Sequence, residues 1–209
     1  MARKSPPAPP IPPHLTLNVL HQSAQQCRAC ELWRHATQAV LGEGAQKAEV
    51  MLVGEQPGDK EDRAGKPFVG PAGAVLGKAL AEAGIACADV YITNAVKHFS
   101  WEPRGKIRIH KKPRASQIAA CRPWLEAEIR LINPKLIVLM GATAAHSLLG
   151  PGFRVTRHRG ELIESPYAPL VTVTVHPSSI LRAPDETTRN EQMKRFVNEL
   201  RSAAARLRE

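Results

Sequence analysis

The chain has 209 residues, a hydrophobic share of 43% and a formal net charge of +10. This length suits one domain with a proper core, and the positive charge favours an anionic partner. The aromatic share of 4% argues against a strand-binding surface built from many stacked rings. No apolar run reaches the length of a membrane span, and the N-terminus lacks a secretory apolar segment. We therefore expect a cytoplasmic location, associated with the bacterial nucleoid.

The predicted elements begin after a proline-rich segment. Residues 1–15 hold few large apolar side chains, which predicts a flexible or polyproline-like tail before a domain over residues 16–209. A helical spacing of apolar residues follows, interrupted by a Cys-x-x-Cys pair. Further along, one helix is expected to open at Pro71 and close near Gly84, another to stop at Pro134, and a last one to end the chain.

Four apolar segments alternate with these helices and predict strands: AEVMLVG, DVYITN, KLIVLM and LVTVTV. Strands that are apolar throughout and alternate with helices are typical of a parallel sheet covered on both faces. The expected fold class is α/β, a single three-layer α/β/α domain with a four-stranded parallel sheet. The turns GEQPG, NAVKH and HPSS end three of these strands, where open α/β sheets bind their ligands.

A basic insertion at about residues 100–115 interrupts this alternation. It surrounds one histidine, His110, with six cations: Arg104, Lys106, Arg108, Lys111, Lys112 and Arg114. By charge alone this is a solvated phosphate-binding loop in which the histidine is incidental. We expect Lys106, Arg108 and Lys111 to contact a nucleic-acid backbone.

The segment VTVHPSSILR places His176 at a predicted strand end. A histidine there can donate a hydrogen bond to charge that develops on a leaving group. Ser178, Ser179 and Arg182 could hold phosphates, and Ile180 could enter a base stack as an apolar wedge. A simple capping turn before a helix is the alternative for the two serines.

The motifs GEQPGDKEDRAGKPFVGPAG, TNAVKH and HPSSIL, in this order, resemble the uracil-DNA glycosylase superfamily, nearest its iron–sulfur family 4. The basic insertion with its RIH triplet is similar to that of the UdgX branch, whose members stay covalently attached to DNA. The resemblance runs from about Cys27 to the C-terminal helix. It implies a DNA repair enzyme that flips uracil into a pocket, as chemistry on a stacked base requires.

The resemblance also implies roles for individual residues. Phe68 would stack on uracil, Asn94 would read its amide edge and reject cytosine, and His176 would stabilise the departing base. Backbone groups of Gln56 and Gly58 would complete the pocket, with Asp59 beside it.

One departure from the superfamily concerns the attacking group. Its best-known members carry GQDPY at the first motif and use the aspartate to position a water. Here that position is Gln56, which cannot act as a base, and Glu55 remains as the carboxylate that stabilises the sugar cation or orients a nucleophile. The neutral imidazole of His110 is a competent nucleophile for C1′ and would leave a covalent adduct.

The cysteines predict a metal centre. Four cysteines in a chain expected to be intracellular are a poor disulfide framework, and a Cys-x-x-Cys pair favours metal or redox use. The family's third ligand is normally a cysteine at the position of His98, so Cys27, Cys30, His98 and Cys121 are assigned to a structural [4Fe–4S] cluster. Zinc is the alternative metal, and a His98 without any ligand role is the other alternative.

The remaining cysteine, Cys87, is expected to be buried and structural. Two of the proposed ligands, His98 and Cys121, flank the basic insertion and would pin both of its ends.

The function expected from these observations is excision of uracil from single- or double-stranded DNA by a monomer, followed by trapping of the abasic sugar on His110. Two alternatives stay open: a hydrolytic glycosylase that turns over, and a module that binds uracil or abasic sites without cleavage.

Overall fold

We describe Pro9 and residues 11–208 in a computed structural model of the chain. The predicted tail over residues 1–15 lies mostly outside the described residues. Among those described, neither helix of eighteen or more residues is apolar enough to cross a membrane.

One mixed sheet forms the centre of the domain. The strands of the described residues are β1 (Glu43–Gly44), β2 (Val50–Gly54), β3 (Val90–Asn94), β4 (Trp101–Arg104), β5 (Ile107–His110), β6 (Leu136–Met140), β7 (Leu162–Ile163) and β8 (Leu170–Thr174). The main sheet has the order β1-β3-β2-β6-β8-β7. Its four central strands are parallel, as predicted from their apolar sequences. The short edge strands β1 and β7 are antiparallel additions that the prediction of four strands did not include.

Helices cover both faces of this sheet and confirm the three-layer α/β/α fold. They are α1 (Leu17–Ala24), α2 (Asp59–Ala64), α3 (Pro71–Ala83), α4 (Ala115–Ile132), α5 (Ala142–Leu149), α6 (Val155–His158), α7 (Pro177–Leu181) and α8 (Glu186–Ala205). Apolar side chains of α4 and α5 pack on one face, and those of α3, α7 and α8 pack on the other. A third cluster joins α1 and the cysteine segment to the outer side of α4.

The ends of two helices follow the expected signals. Helix α3 begins at Pro71 and ends at Gly84, which adopts a left-handed conformation with φ of 75°. Helix α4 ends at Asn133, with φ of 51°, directly before Pro134. Pro123 lies within α4, and the helix continues through it.

Two expectations about local structure were wrong. The basic insertion is not an open loop, because β4 and β5 pair as an antiparallel hairpin around a turn at Gly105. Cys87 is exposed in a short 3₁₀ turn before β3 and is not a buried structural cysteine.

Candidate active site

The carboxyl ends of the parallel strands bring the predicted motifs together. Gly54 ends β2 and lies opposite Asn94 at the end of β3. Gly141 follows β6, and a side-chain atom added there would lie 3.1 Å from Cβ of His176, just beyond β8. The parallel topology therefore gathers these four positions at one edge of the sheet.

Two side chains converge on Gly54. A Cβ atom placed on Gly54 would collide with Oδ1 of Asn94 and would lie 2.6 Å from Cζ of Phe68. Asn94 is only 2% exposed, yet its side-chain amide has no hydrogen-bond partner among the described residues. The donor and acceptor of this amide are therefore left for a ligand to pair. Asn94 and Phe68 are thus placed to bind a flat polar ring.

The backbone at Phe68 is held in an uncommon conformation. Its φ is 54°, in the left-handed region that residues with large side chains avoid. The neighbouring helix permits this because Gly73 lacks a Cβ, which would otherwise collide with the carbonyl of Phe68. Strain of this kind persists where the surrounding structure fixes it, as in binding sites. The Phe68 ring lies 5.8 Å from that of His176, between ring centroids.

His176 presents a neutral imidazole with a defined tautomer. Its Nδ1 accepts a hydrogen bond from the backbone N–H of Ser178 at 3.2 Å, so the ring proton of the neutral form is on Nε2. Burial, with added repulsion from His110 and Arg182, lowers the pKa of His176 to about 4. At neutral pH this side chain is therefore a hydrogen-bond donor without a charge.

This lowered pKa predicts a pH-dependent stability. Since the unfolded histidine has a pKa near 6.5, the unfolded state gains a proton first as pH falls, and stability declines from about pH 6.5 toward pH 4. Between pH 6.5 and pH 5 we expect the wild type to lose about 2 kcal/mol more than His176→Gln. Urea denaturation at both pH values measures this, and equal losses would contradict the assignment.

Glu55 and His110 form a second pair at this edge. Nε2 of His110 lies 3.3 Å from Oε1 of Glu55, and the His110 side chain is 50% exposed. The other carboxylate oxygen of Glu55 accepts a hydrogen bond from the Thr143 hydroxyl at 2.8 Å. Thr143 belongs to none of the sequence motifs, since it lies in α5.

Gln56 attaches the hairpin to the first motif. It is buried, and its Nε2 donates to the carbonyls of Ser100 at 3.0 Å and Lys111 at 3.2 Å. Its Oε1 accepts from the backbone N–H of Ser100 at 3.1 Å. Ser100 and Lys111 flank the two hairpin strands, so one amide holds both strands beside His110.

Arg108 provides the second attachment. Its guanidinium donates to the carboxylate of Asp59 and, at 2.6 Å, to that of Asp62, and the side chain is 14% exposed. The charge of Arg108, expected to contact DNA phosphates, is paired with two carboxylates in this structure. Asp59, expected beside the uracil pocket, binds this arginine and Arg63.

The third motif also differs in detail from its predicted roles. The Ser178 hydroxyl contacts His176 and accepts from Arg182 at 3.1 Å, while the Ser179 hydroxyl donates to the His176 carbonyl at 2.8 Å. Both serines thus form the capping turn. Ile180 is only 2% exposed and packs in the core, so the structure contradicts its predicted role as a wedge.

A buried ion pair below the pocket was also missed. Lys97 Nζ donates to Glu128 at 2.5 Å, to the Thr93 hydroxyl at 2.9 Å and to the Asn94 carbonyl at 2.5 Å. The other oxygen of Glu128 accepts from the Tyr91 hydroxyl at 3.0 Å. Every ammonium hydrogen therefore has an acceptor, and one of these acceptors is the backbone of Asn94.

Breaking the ion pair of Lys97 and Glu128 is expected to destabilise the folded protein. We expect Lys97→Met to lower the free energy of unfolding by about 3 to 5 kcal/mol, because Glu128 is left as an unpaired buried charge. Lys135→Met is the matched control, since Lys135 pairs with Glu49 on the surface and is 60% exposed. Chemical denaturation measures both variants, and similar losses would show that burial adds nothing to the effect.

Three of the four cysteines lie in one cluster. Cys27, Cys30 and Cys121 pack together beside α4, and none of them forms a disulfide. The Cys27 sulfur accepts from the Trp124 indole N–H at 3.2 Å, and the Cys121 sulfur accepts from the Lys97 backbone N–H at 3.3 Å. Burial raises the pKa of Cys121 to about 12. Donors aimed at sulfur favour a thiolate, which only a bound metal would stabilise at such a buried position.

The predicted fourth ligand is His98. It is 4% exposed, and burial lowers its pKa to about 4, with smaller effects from Asp62 and Arg28. Within residues 11–208, no three His, Cys, Asp or Glu side chains converge as ligands of one metal ion. A cluster spreads its ligands over four irons, whereas zinc gathers four around one atom.

Comparison with known proteins finds one matching family and several relatives of similar sequence. The profile of the Uracil DNA glycosylase superfamily matches residues 41–201. The type-4 uracil-DNA glycosylase of Thermotoga maritima is 37% identical over 184 residues, covering 88% of this chain and 90% of that protein. The type-4 enzyme of Sulfurisphaera tokodaii is 36% identical and covers 81% of this chain and 78% of its own.

A more distant relative is the type-5 uracil-DNA glycosylase of Pyrobaculum aerophilum, 29% identical over 171 residues, which cover 73% of this chain and 71% of that protein. The profile includes the motifs that meet over Gly54, and the type-4 relatives match across most of their own length. The chain therefore belongs to the uracil-DNA glycosylase superfamily.

Proposed function

We propose that the protein excises uracil from DNA and then bonds the abasic sugar to His110, as in the UdgX branch that its basic insertion resembles. The observation that carries the first part is the Asn94 side-chain amide, which makes no hydrogen bond among the described residues and lies beside the Phe68 ring. Uracil offers a flat ring with a carbonyl and an N–H on one edge, which an amide can pair. Cytosine would present a donor and an acceptor in a different order and would leave the amide unsatisfied.

Bond cleavage sends the electrons of the glycosidic bond to N1 of uracil. The neutral His176 stabilises the charge that develops on the departing base through its Nε2–H. The carboxylate of Glu55 stabilises the positive sugar that remains.

The trapping step uses the pair of His110 and Glu55. With the ring proton on Nε2, the lone pair of Nδ1 of His110 bonds to C1′ and neutralises the sugar cation, and the proton on Nε2 of the imidazolium so formed passes to the Glu55 oxygen that lies 3.3 Å away. Gln56 supports this route for two reasons. Its side-chain amide is already hydrogen-bonded to the backbone at the hairpin. Because it is not a carboxylate, it cannot activate a water for attack on the sugar.

We also propose that Cys27, Cys30, His98 and Cys121 hold a structural [4Fe–4S] cluster. The donors on two sulfurs and the shared cluster of three cysteines support it. Purified protein is then brown, with broad visible absorbance and acid-labile sulfide. A colourless protein that contains zinc would refute the cluster.

One experiment tests the catalytic proposal. The protein is incubated with an excess of a uracil-containing oligonucleotide, then denatured, and free uracil and protein mass are both measured. We expect one uracil released per protein and a mass shift that peptide mapping places at His110. Many uracils per protein would select the hydrolytic alternative, and binding without uracil release would select the non-catalytic module.

A further inference from the structure

The burial of Ile180 leaves open which side chains touch the bases next to the extruded nucleotide. Among residues 11–208, the large apolar side chains that remain exposed are Val19, Val69, Ile107, Ile109, Leu162 and Leu181. Two of these six, Ile107 and Ile109, lie in β5, the strand that ends at His110. Exposed apolar side chains beside a candidate functional residue indicate an interaction surface.

The hairpin contributes the most exposed member of this group. Residues directly opposite each other in an antiparallel pair share a face, and Ile107 pairs with Arg104 while Ile109 pairs with Glu102. These four residues form what we call the outer face. The other face carries His110 and Arg108, which contact the first motif.

The charge of the outer face suits nucleic acid. Its acidic member, Glu102, is paired with Lys111 at 2.9 Å. Arg104 and the adjacent Lys106 have no hydrogen-bond or ion-pair partner in the described part of the chain. Ile107 is 65% exposed and Ile109 is 37% exposed between these free cations. Apolar side chains flanked by cations are the composition with which proteins enter a base step and hold its phosphates.

We propose that the outer face of the hairpin docks on the bases that flank the extruded uracil, with Ile107 and Ile109 against the unstacked base step. This rests on the proposed function, because C1′ must reach His110 at the end of the same hairpin. The nucleotides next to the flipped one then pass over the hairpin, whose inner face is already occupied by Gln56 and Asp59. The partner of the outer face is therefore the DNA bases beside the extruded nucleotide.

The test uses base stacking as its readout. An oligonucleotide carries 2-aminopurine beside a 2′-fluoro-uridine whose glycosidic bond resists cleavage, and both its fluorescence and its affinity are followed on binding. The variant Ile107→Thr/Ile109→Thr removes apolar bulk and keeps β-branched residues in the strand. Leu162→Thr is the matched control, since Leu162 is 42% exposed on the far edge strand β7.

We expect the wild type and Leu162→Thr to raise the fluorescence equally. The double variant loses most of this rise and binds about tenfold more weakly, with an unchanged salt dependence, because its charges are intact. Unchanged fluorescence and affinity in the double variant would overturn the docking surface. If the wild type unstacks the probe yet releases no uracil from an ordinary substrate, the proposed function fails and the docking surface stands.

Discussion

Replacing Gly54 by alanine is expected to reduce uracil release by about a hundredfold or more while the protein stays folded. The new methyl group would occupy the space between Asn94 and Phe68, where it meets Oδ1 of one and Cζ of the other. Both neighbours are side-chain ends that can shift aside, so the backbone accommodates the change. Displacing a recognition group by about an ångström is enough for a loss of this size. Single-turnover release of uracil under saturating protein measures the effect.

The matched control for this change is Gly77→Ala. Gly77 lies inside α3, and an added Cβ there meets nothing within 4 Å. Alanine within a helix is favoured over glycine by about 0.5 to 1 kcal/mol, so this variant should be active and slightly more stable. If Gly54→Ala releases uracil as fast as Gly77→Ala, the base does not bind over Gly54.

The second large effect concerns His110. We expect His110→Ala to lose the denaturation-resistant complex with uracil-containing DNA entirely, because it removes the only proposed nucleophile. Uracil should still be released, since Asn94, Phe68 and His176 are untouched. Denaturing gel electrophoresis detects the complex, and uracil quantification follows the release step separately.

His158→Ala controls for the loss of an exposed histidine. His158 is 46% exposed and contacts Glu161 at 2.8 Å, much as His110 contacts Glu55, but it lies in α6. This variant should form the complex like the wild type. A persistent adduct in His110→Ala would show that another residue attacks C1′.

Much of the fold could be predicted because its signals are local. The four central strands are apolar at nearly every position, which marks strands buried on both faces. The hairpin was missed because β5 is only four residues long and its charges dominate the pattern. Edge strands of two residues, such as β1, carry no periodic signal.

The site was predicted less completely, because its contacts join distant parts of the chain. Ile180 and Leu181 are adjacent and equally apolar, and only the packing of α7 buries the first while leaving the second 40% exposed. The pair of Lys97 and Glu128 joins residues 31 positions apart, and Glu128 belongs to no recognised motif. Motifs located the pocket, whereas tertiary packing decided which neighbours support it.

Gln56 also limits how this scaffold can change during evolution. An aspartate at this position would supply a base for water, but it has no N–H to offer the carbonyls of Ser100 and Lys111. Those carbonyls would lose this side-chain donor, and the segment that carries His110 would keep only its attachment through Arg108. Under the proposed mechanism, exchanging the attacking group by a single substitution at this residue would therefore also weaken the attachment of the hairpin. The glutamine and the hairpin are coupled through these hydrogen bonds.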